Sequence, residues 1–484
     1  MIGKSTGIIL KSGGVAFLIF TFLCIEYIER TFPDFSSSVL REISAVCHDR
    51  GTQWIVFLCF GIYFVSFLFF GSYATSAIFW RAANPNLWLV GVFLISTIRY
   101  AIDYLPSTQA LILMGGMALG QGTALLVIFE RKSEQLECRA GFEILVVFWL
   151  IFLLMLASSW NFNSSQPFEY HHYARWSGYW DTPNIAGLLM GTGVILAAGQ
   201  IIRGLMPDAQ SRTSEAGSWK FGMGVRLKWI FTALYLVAAI LLGRGLLHSY
   251  SRGAWIAAIC GLSHLIYHGV KSPTFKARNV SCVLGSAQFI NWARRNSQIL
   301  SVIGLSVIVL AFWQFRHLKH EVITSRVISA LNVNDFSWRN RIVAWEGALQ
   351  ITAEHPWLGA GWNQPESFYN RYYLPPTVDE GAAIEMNDYL MLGALLGIPA
   401  LVCFGMYIWF SLSPELGVEG LGQPKKLNGE PDWRQTTCRA GAIVLAVGFW
   451  FDGGLFKLAT ASVFWILLEL GRRGFVASSL KSLA

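Results

Sequence analysis

The residues best suited to chemistry stand where polar sequence meets apolar sequence. In "IEMNDYLMLGALLGIPALVCFG", residues 384–405, Glu385, Asn387 and Asp388 open a run long enough to begin crossing a membrane. Carboxylates and amides in that place have two readings: the rim of a polar site, or caps for the unpaired N–H groups of a starting helix. Glu380 lies on the approach to the same run. Arginines are placed in a similar way. "GRGLLHSYSRGAWIAA" carries Arg244 and Arg252, the latter at the start of another apolar run. Arg175 precedes Pro183 and Asn184 in "FEYHHYARWSGYWDTPNIAGLL", and Arg341 lies in "WRNRIVAWEGALQI". A guanidinium at a helix start that faces a polar cavity suits phosphate, because its fork matches phosphate oxygens and the helix end adds N–H donors. The same side chains also serve as interfacial anchors, and stacking on Trp345 or pairing with Glu346 would account for Arg341 equally well.

Several chemistries find no support. His171 and His172 are adjacent, but no HExxH and no Cys/His array accompanies them, and the eight cysteines show no CxxC spacing. No metal and no cofactor is expected. The absence of a GxxxxGK[ST] loop argues against an ATP-driven machine.

The elements that must position these residues follow from composition. With 54% apolar residues, 14% charged residues and a mean hydropathy of +0.47, the chain is far outside the range of soluble domains and reads as a membrane protein. Apolar runs recur about twelve times at the length needed to span hydrocarbon. They centre near Phe20, Tyr63, Phe93, Gly116, Phe152, Ile195, Leu236, Ala257, Ile308, Leu401, Val447 and Phe464. The runs are continuous rather than alternating, so the predicted fold class is all-α and polytopic, with one long outer loop. Four regions result: N-terminal helices over 1–140, central helices with the arginine motifs over 141–315, the loop over 316–385, and C-terminal helices over 386–484. The first run lacks a small-residue cleavage site and reads as a retained helix.

Basic clusters such as Lys271, Lys276, Arg278, Arg294 and Arg295 fall on one side of this threading, which sets both termini in the cytoplasm. The net charge of +8 then needs no nucleic acid, since inner loops lie against an anionic leaflet. On the outer side, the loop of roughly seventy residues before Glu385 is long enough to indicate function. Within it Arg341 and Trp345 are four apart and share a helix face, while Gly359 and Gly361 break the chain afterwards.

Four stretches in order, "RWSGYWDTPNIAG", "SRGAWIAA", "RNRIVAWEGALQITAEHPWLGAGW" and "MNDYLMLGALLGIPA", resemble the bacterial O-antigen ligase and polymerase family. The likeness covers roughly residues 140 to 410. It implies a GT-C-like fold in the bacterial inner membrane and transfer of a glycan from an undecaprenyl-pyrophosphate carrier at the outer face. The acceptor would be lipid A core, another glycan or a protein. By the same resemblance Arg175, Arg252 and Arg341 would hold the carrier pyrophosphate, and arginines that stabilise the departing charge would make the reaction metal-independent. The family's last motif begins His-Asn, and its histidine activates the acceptor hydroxyl. Asn387 and Gly397 match that motif, but Met386 occupies the place of the histidine, and a thioether accepts no proton at neutral pH. Glu385 is the adjacent replacement as base, with Glu380 and Asp388 as further candidates. His355 belongs to a His-Pro pair that the family pattern already contains and reads as structural.

Two other classes fit a polytopic chain with outer arginines: a non-catalytic subunit that binds the carrier lipid, and a transporter of lipid or polysaccharide. A transporter would show internal repeats or broken helices with midplane ionisable groups, and no such repeat is visible. The threading is testable by itself. Reporter fusions at Gly361 and Gly429 are expected to report periplasm and cytoplasm respectively; the reverse result at either position dismantles the outer site.

Overall fold

A helix satisfies its own backbone hydrogen bonds segment by segment, which is why apolar sequence in lipid adopts it. The computed structural model describes residues 85–103, 107–133, 141–159, 169–170, 173–178, 180, 182–205, 218–271, 324, 328, 336–362, 369–371, 387–413 and 433–472. Its helices are α1 (Pro85–Asp103), α2 (Thr108–Ser133), α3 (Gly141–Ser159), α4 (Pro183–Leu205), α5 (Ser218–His248), α6 (Arg252–Lys271), α7 (Phe336–Glu354), α8 (Asp388–Leu412), α9 (Trp433–Phe451) and α10 (Leu458–Gly471). One antiparallel rung, β1 (Glu169–Tyr170) with β2 (Tyr173–Ala174), is the exception to the all-α expectation among the described residues. The expected centres Phe93, Gly116, Phe152, Ile195, Leu236, Ala257, Leu401, Val447 and Phe464 each fall inside one of these helices. Those near Phe20, Tyr63 and Ile308 lie outside the described residues, as do Glu380, Glu385 and Met386. Pro85–Asp103, Pro183–Gly204, Ile230–His248 and Asp388–Leu412 are long and apolar enough to cross a membrane by length and composition.

The packing has a centre and two ends. Every residue of α10 from Ala459 to Gly471 is buried, as expected for a helix that is apolar all round. It packs on α2 and α9; α9 in turn packs on α4 and α6, and α8 lies along α1. Small residues permit the close approaches. A Cβ on Gly199 would lie 2.3 Å from Thr437 Oγ1, and one on Gly448 would lie 2.1 Å from a Leu188 methyl. One end is tied by a buried polar group. Glu469 accepts hydrogen bonds from Gln121 Nε2 at 2.8 Å, Tyr407 OH at 2.5 Å and Arg472 Nη1 at 2.7 Å, while Arg472 Nη2 donates to Asn86 Oδ1 at 2.9 Å. At the opposite end lie the connections that carry the candidate site residues.

Side-chain caps start the helices that begin at that opposite end. Ser107 Oγ accepts from Ala110 N, Thr182 Oγ1 from Ile185 N, Ser251 Oγ from Ala254 N, and Asn387 Oδ1 from both Tyr389 N and Leu390 N. Pro183 occupies the first helical position of α4, where its missing N–H costs nothing.

Helix α8 is broken. Gly397 has φ +82°, and Pro399 removes the N–H of the next turn. The backbone groups this frees are bonded by the segment after α7: Ile398 N donates to Pro356 O at 2.8 Å, Ala360 N to Ala394 O at 2.7 Å, and Gly361 N to Leu395 O at 3.2 Å. Gly359 (φ +64°) makes the insertion possible, since a Cβ there would lie 2.2 Å from the Leu395 carbonyl carbon. The far side of the insertion is pinned as well. Arg99 Nη2 donates to Ala360 O at 3.0 Å, and Asp103 Oδ2 accepts from Trp362 N at 2.7 Å.

Gly359→Ala is therefore expected to lower the melting temperature of the detergent-purified protein. Left-handed backbone alone costs about 1–3 kcal/mol for a residue with a side chain, and the overlap with Leu395 adds to it. Gly405→Ala in the same α8 meets nothing within 4 Å and serves as the control, with no loss expected. Equal melting temperatures for both variants would remove the inserted segment from the account of stability.

Candidate functional site

Three of the four motif stretches meet at one helix start. The turn between α5 and α6 is held tightly: Tyr250, 2% exposed, takes a left-handed φ of +48°, a strained conformation for a bulky residue. The strain brings Ser249 and Ser251 to neighbouring faces of the turn, with Ser251 N donating to Ser249 Oγ at 3.2 Å. Arg252, 7% exposed, is the first residue of α6.

Arg341 reaches this turn from α7. Its Nη2 lies 3.1 Å from Asp452 Oδ1, and both side chains are buried. Asp452 Oδ2 in turn accepts from Ser251 Oγ at 2.5 Å, so one carboxylate joins the α6 start to α7. Gly253 leaves room for it; a Cβ there would lie 2.4 Å from Oδ2. The partner of Arg341 is thus Asp452 and not Glu346, which is exposed on the other side of α7. The shared face expected for Arg341 and Trp345 is present: Trp345 packs against Trp450 at 6.0 Å, two residues before Asp452. The guanidinium of Arg341 also lies 5.9 Å from the Trp338 ring.

Arg175 meets the same turn from the other direction. Its Nε donates to Ser249 O at 3.0 Å and its Nη2 to Asn184 Oδ1 at 2.8 Å. Much of its fork is engaged in fastening the segment before α4 to the α5–α6 turn, which makes it a brace for the site. Trp176 continues the brace, with its N–H on His248 O at 3.0 Å, its ring stacked 4.1 Å from the His248 ring, and Arg244 over it at 4.9 Å. Asn184 is accordingly more than helix-start geometry, because it holds Arg175.

The α8 start is joined through the turn after α9. Asp388, 2% exposed, accepts from Leu455 N at 2.7 Å, three residues beyond Asp452. Phe456 of that turn lies 6.4 Å from Trp362, which closes the ring of connections. Asp388 is thereby a fixed structural acceptor. Asn387 is the N-cap of α8 with an extended backbone, φ −131° and ψ 99°, so helical spacing begins only at Asp388. Tyr369 packs between α7 and α8 against Ala348, Ile351 and Ala394, and burial raises its phenol pKa so that it stays neutral. His355 is exposed, and its carbonyl accepts from Gly359 N, in keeping with a structural part in the inserted segment.

Chemically the arrangement is a buried end of a bundle where Arg252, Arg341, the carboxylates of Asp452 and Asp388 and several helix N-termini converge. Such a place favours an anion, because the helix ends and guanidinium groups present positive charge and N–H donors together. Asp452 is the residue that sequence reasoning missed. Its signal was present in "FWFDGGLFKLA", a lone carboxylate between two apolar runs, where an unpaired charge is costly. Among the described residues no group of three or more metal-ligating side chains occurs.

No curated protein matches the chain. A family model described as O-antigen ligase matches residues 237–405, which include the last part of α5, the Ser249–Ser251 turn, α6, α7, the inserted segment and α8 up to Gly405. Arg252, Arg341, Asn387, Gly359 and Gly397 lie within the match, whereas Arg175 and Asp452 lie outside it. Over that segment the chain is similar to the O-antigen ligase family.

Proposed function

We propose that the protein transfers a glycan from an undecaprenyl-pyrophosphate carrier to an acceptor hydroxyl at the outer face of the inner membrane. The observation that carries this reading is the meeting of Arg252 and Arg341, from separate motifs, at one helix start beside Asp452. In the proposed step the acceptor oxygen attacks the anomeric carbon of the donor sugar. The bond from that carbon to the pyrophosphate oxygen breaks, and the carrier leaves with the bond's electrons. Arg252 and Arg341 stabilise the charge that develops on the leaving pyrophosphate, in place of a metal ion. The acceptor proton passes to a carboxylate, for which Glu385 is the nearest in sequence to the position that Met386 occupies. Helical spacing would turn neighbouring side chains about 100° apart, but that spacing starts after Asn387.

A carrier-binding subunit without transferase activity is the second reading, and Met386 is the residue that favours it. The transporter reading draws on the break in α8, since transporters place substrate at such breaks. Here the freed backbone groups are bonded to Pro356, Ala360 and Gly361, which leaves the break filled with protein.

Two predictions follow from the proposed chemistry. Arg252→Lys keeps the charge but loses the planar fork, and is expected to reduce transfer by roughly tenfold or more in nanodisc-reconstituted protein. Unchanged turnover would return Arg252 to the role of an interfacial anchor. Glu385→Gln keeps shape and removes basicity; it is expected to slow transfer by roughly 100- to 10,000-fold, the usual worth of a general base, with donor binding retained. Adding Met386→His to that variant should restore transfer in part. Wild-type rates in Glu385→Gln would shift the role to Glu380, and donor binding without any transfer by the natural protein would identify the subunit.

A further inference from the structure

The cap of α8 leaves half of its amide unused. Asn387 is 1% exposed, and its Oδ1 accepts from Tyr389 N and Leu390 N, each at 3.1 Å. Capping thereby fixes the side chain, and the Nδ2 on the other branch of the amide is buried with no hydrogen-bond partner among the described residues. A buried N–H₂ without an acceptor costs stability, whereas Asp would cap as well and bury no donor. Asparagine at this position is therefore poorly explained by the cap alone. Its neighbour Asp388 is bonded to Leu455, on the same turn that presents Asp452 to Arg341, so the cap adjoins the connections around Arg341.

We propose that Asn387 is a ligand-binding residue whose Nδ2 donates a hydrogen bond to a pyrophosphate oxygen of the lipid-linked donor, with Oδ1 locked on the helix to aim it. The inference rests on the donor-binding part of the proposed function and adds a neutral hydrogen-bond donor to its cations. A neutral donor has a use that another arginine lacks, since it orients the phosphate without adding charge that would hold the product.

Asn387→Asp separates the two roles. Aspartate caps a helix as well as asparagine and suits the positive end of the dipole, so a purely capping Asn387 predicts a normal melting temperature and normal binding. In the proposed role the variant exchanges a donor for a negative oxygen that faces phosphate. Binding of undecaprenyl pyrophosphate to the full chain in nanodiscs is then expected to weaken roughly 10- to 100-fold, the loss of one hydrogen bond to a charged group, with the melting temperature retained. Asn387→Ser, which caps without the amide, should weaken binding by roughly tenfold and guards against an effect of the new charge. Arg341→Ala is measured in parallel. If Arg341→Ala loses binding while Asn387→Asp binds like wild type, the inference is overturned and the proposed function stands. A melting temperature that falls in step with affinity in both Asn387 variants would overturn it in favour of the cap. Absence of binding by the wild-type protein would overturn the proposed function and the inference together.

Discussion

An arginine carried into an apolar bundle needs a counter-charge, and the pairing of Arg341 with Asp452 meets that need where the connections converge. Breaking a buried pair by removing one partner typically costs about 3–5 kcal/mol, because the survivor is left uncompensated. The pair also sets positions. Asp452 follows α9 directly, Arg341 lies near the start of α7, and Ser251 on the same carboxylate is the cap of α6. One carboxylate thus fixes the relative placement of three helices, and the Asp388 contact with Leu455 extends the constraint to α8. Hydrogen bonds made by charged groups in a medium of low dielectric constant are strong enough to hold such a register, while apolar packing alone tolerates sliding.

The second constraint is that the backbone of a broken helix must find partners inside the protein. In α8 the break at Gly397 is served by residues 356–361, and these are the residues that follow α7. The helix that carries Arg341 is in this way anchored at both ends, by an ion pair near its start and by backbone hydrogen bonds just past its finish. Thr352 against Gly393 and Tyr369 against Ala394 fill the space between. The Gly and Pro residues of "HPWLGAGW" and "LGIPA" are accordingly two halves of one joint.

What could be read from the sequence follows the range of the interaction that each feature depends on. Apolar runs are local, so the span centres from Phe93 to Phe464 fall within helices wherever those residues are described. The helical setting of Arg252 and of Arg341 could be read because helix signals are local as well. Their meeting was carried by the order of motifs. Asp452 was not legible as a partner, since nothing in its neighbourhood announces an arginine that lies in another segment, and a carboxylate before Gly-Gly reads equally well as a turn. For Arg175 the sequence offers a phosphate ligand or an interfacial anchor, whereas its contacts with Ser249 and Asn184 come from the close approach of two connections. Gly359 and Gly397 were visible as breaks in the chain, but only the fold shows that each break is filled by the other.

The charge arithmetic of the site bears on how such a protein would turn over. If Arg175, Arg252 and Arg341 were all uncompensated, a pyrophosphate would be held as tightly after transfer as before it, and uniform binding of substrate and product does not speed a reaction. The structure spends part of that charge at home: Arg175 on a carbonyl and an amide, Arg341 on Asp452. Beside these stand the positive ends of α6 and α8 and N–H donors fixed in place. Fixed donors of modest net charge stabilise most strongly the state in which charge on the ligand is greatest, because they need no reorganisation to meet it. On the proposed chemistry that state is the departing pyrophosphate, and the resident carboxylate of Asp452 then provides a counter-charge to which Arg341 can return as the carrier leaves.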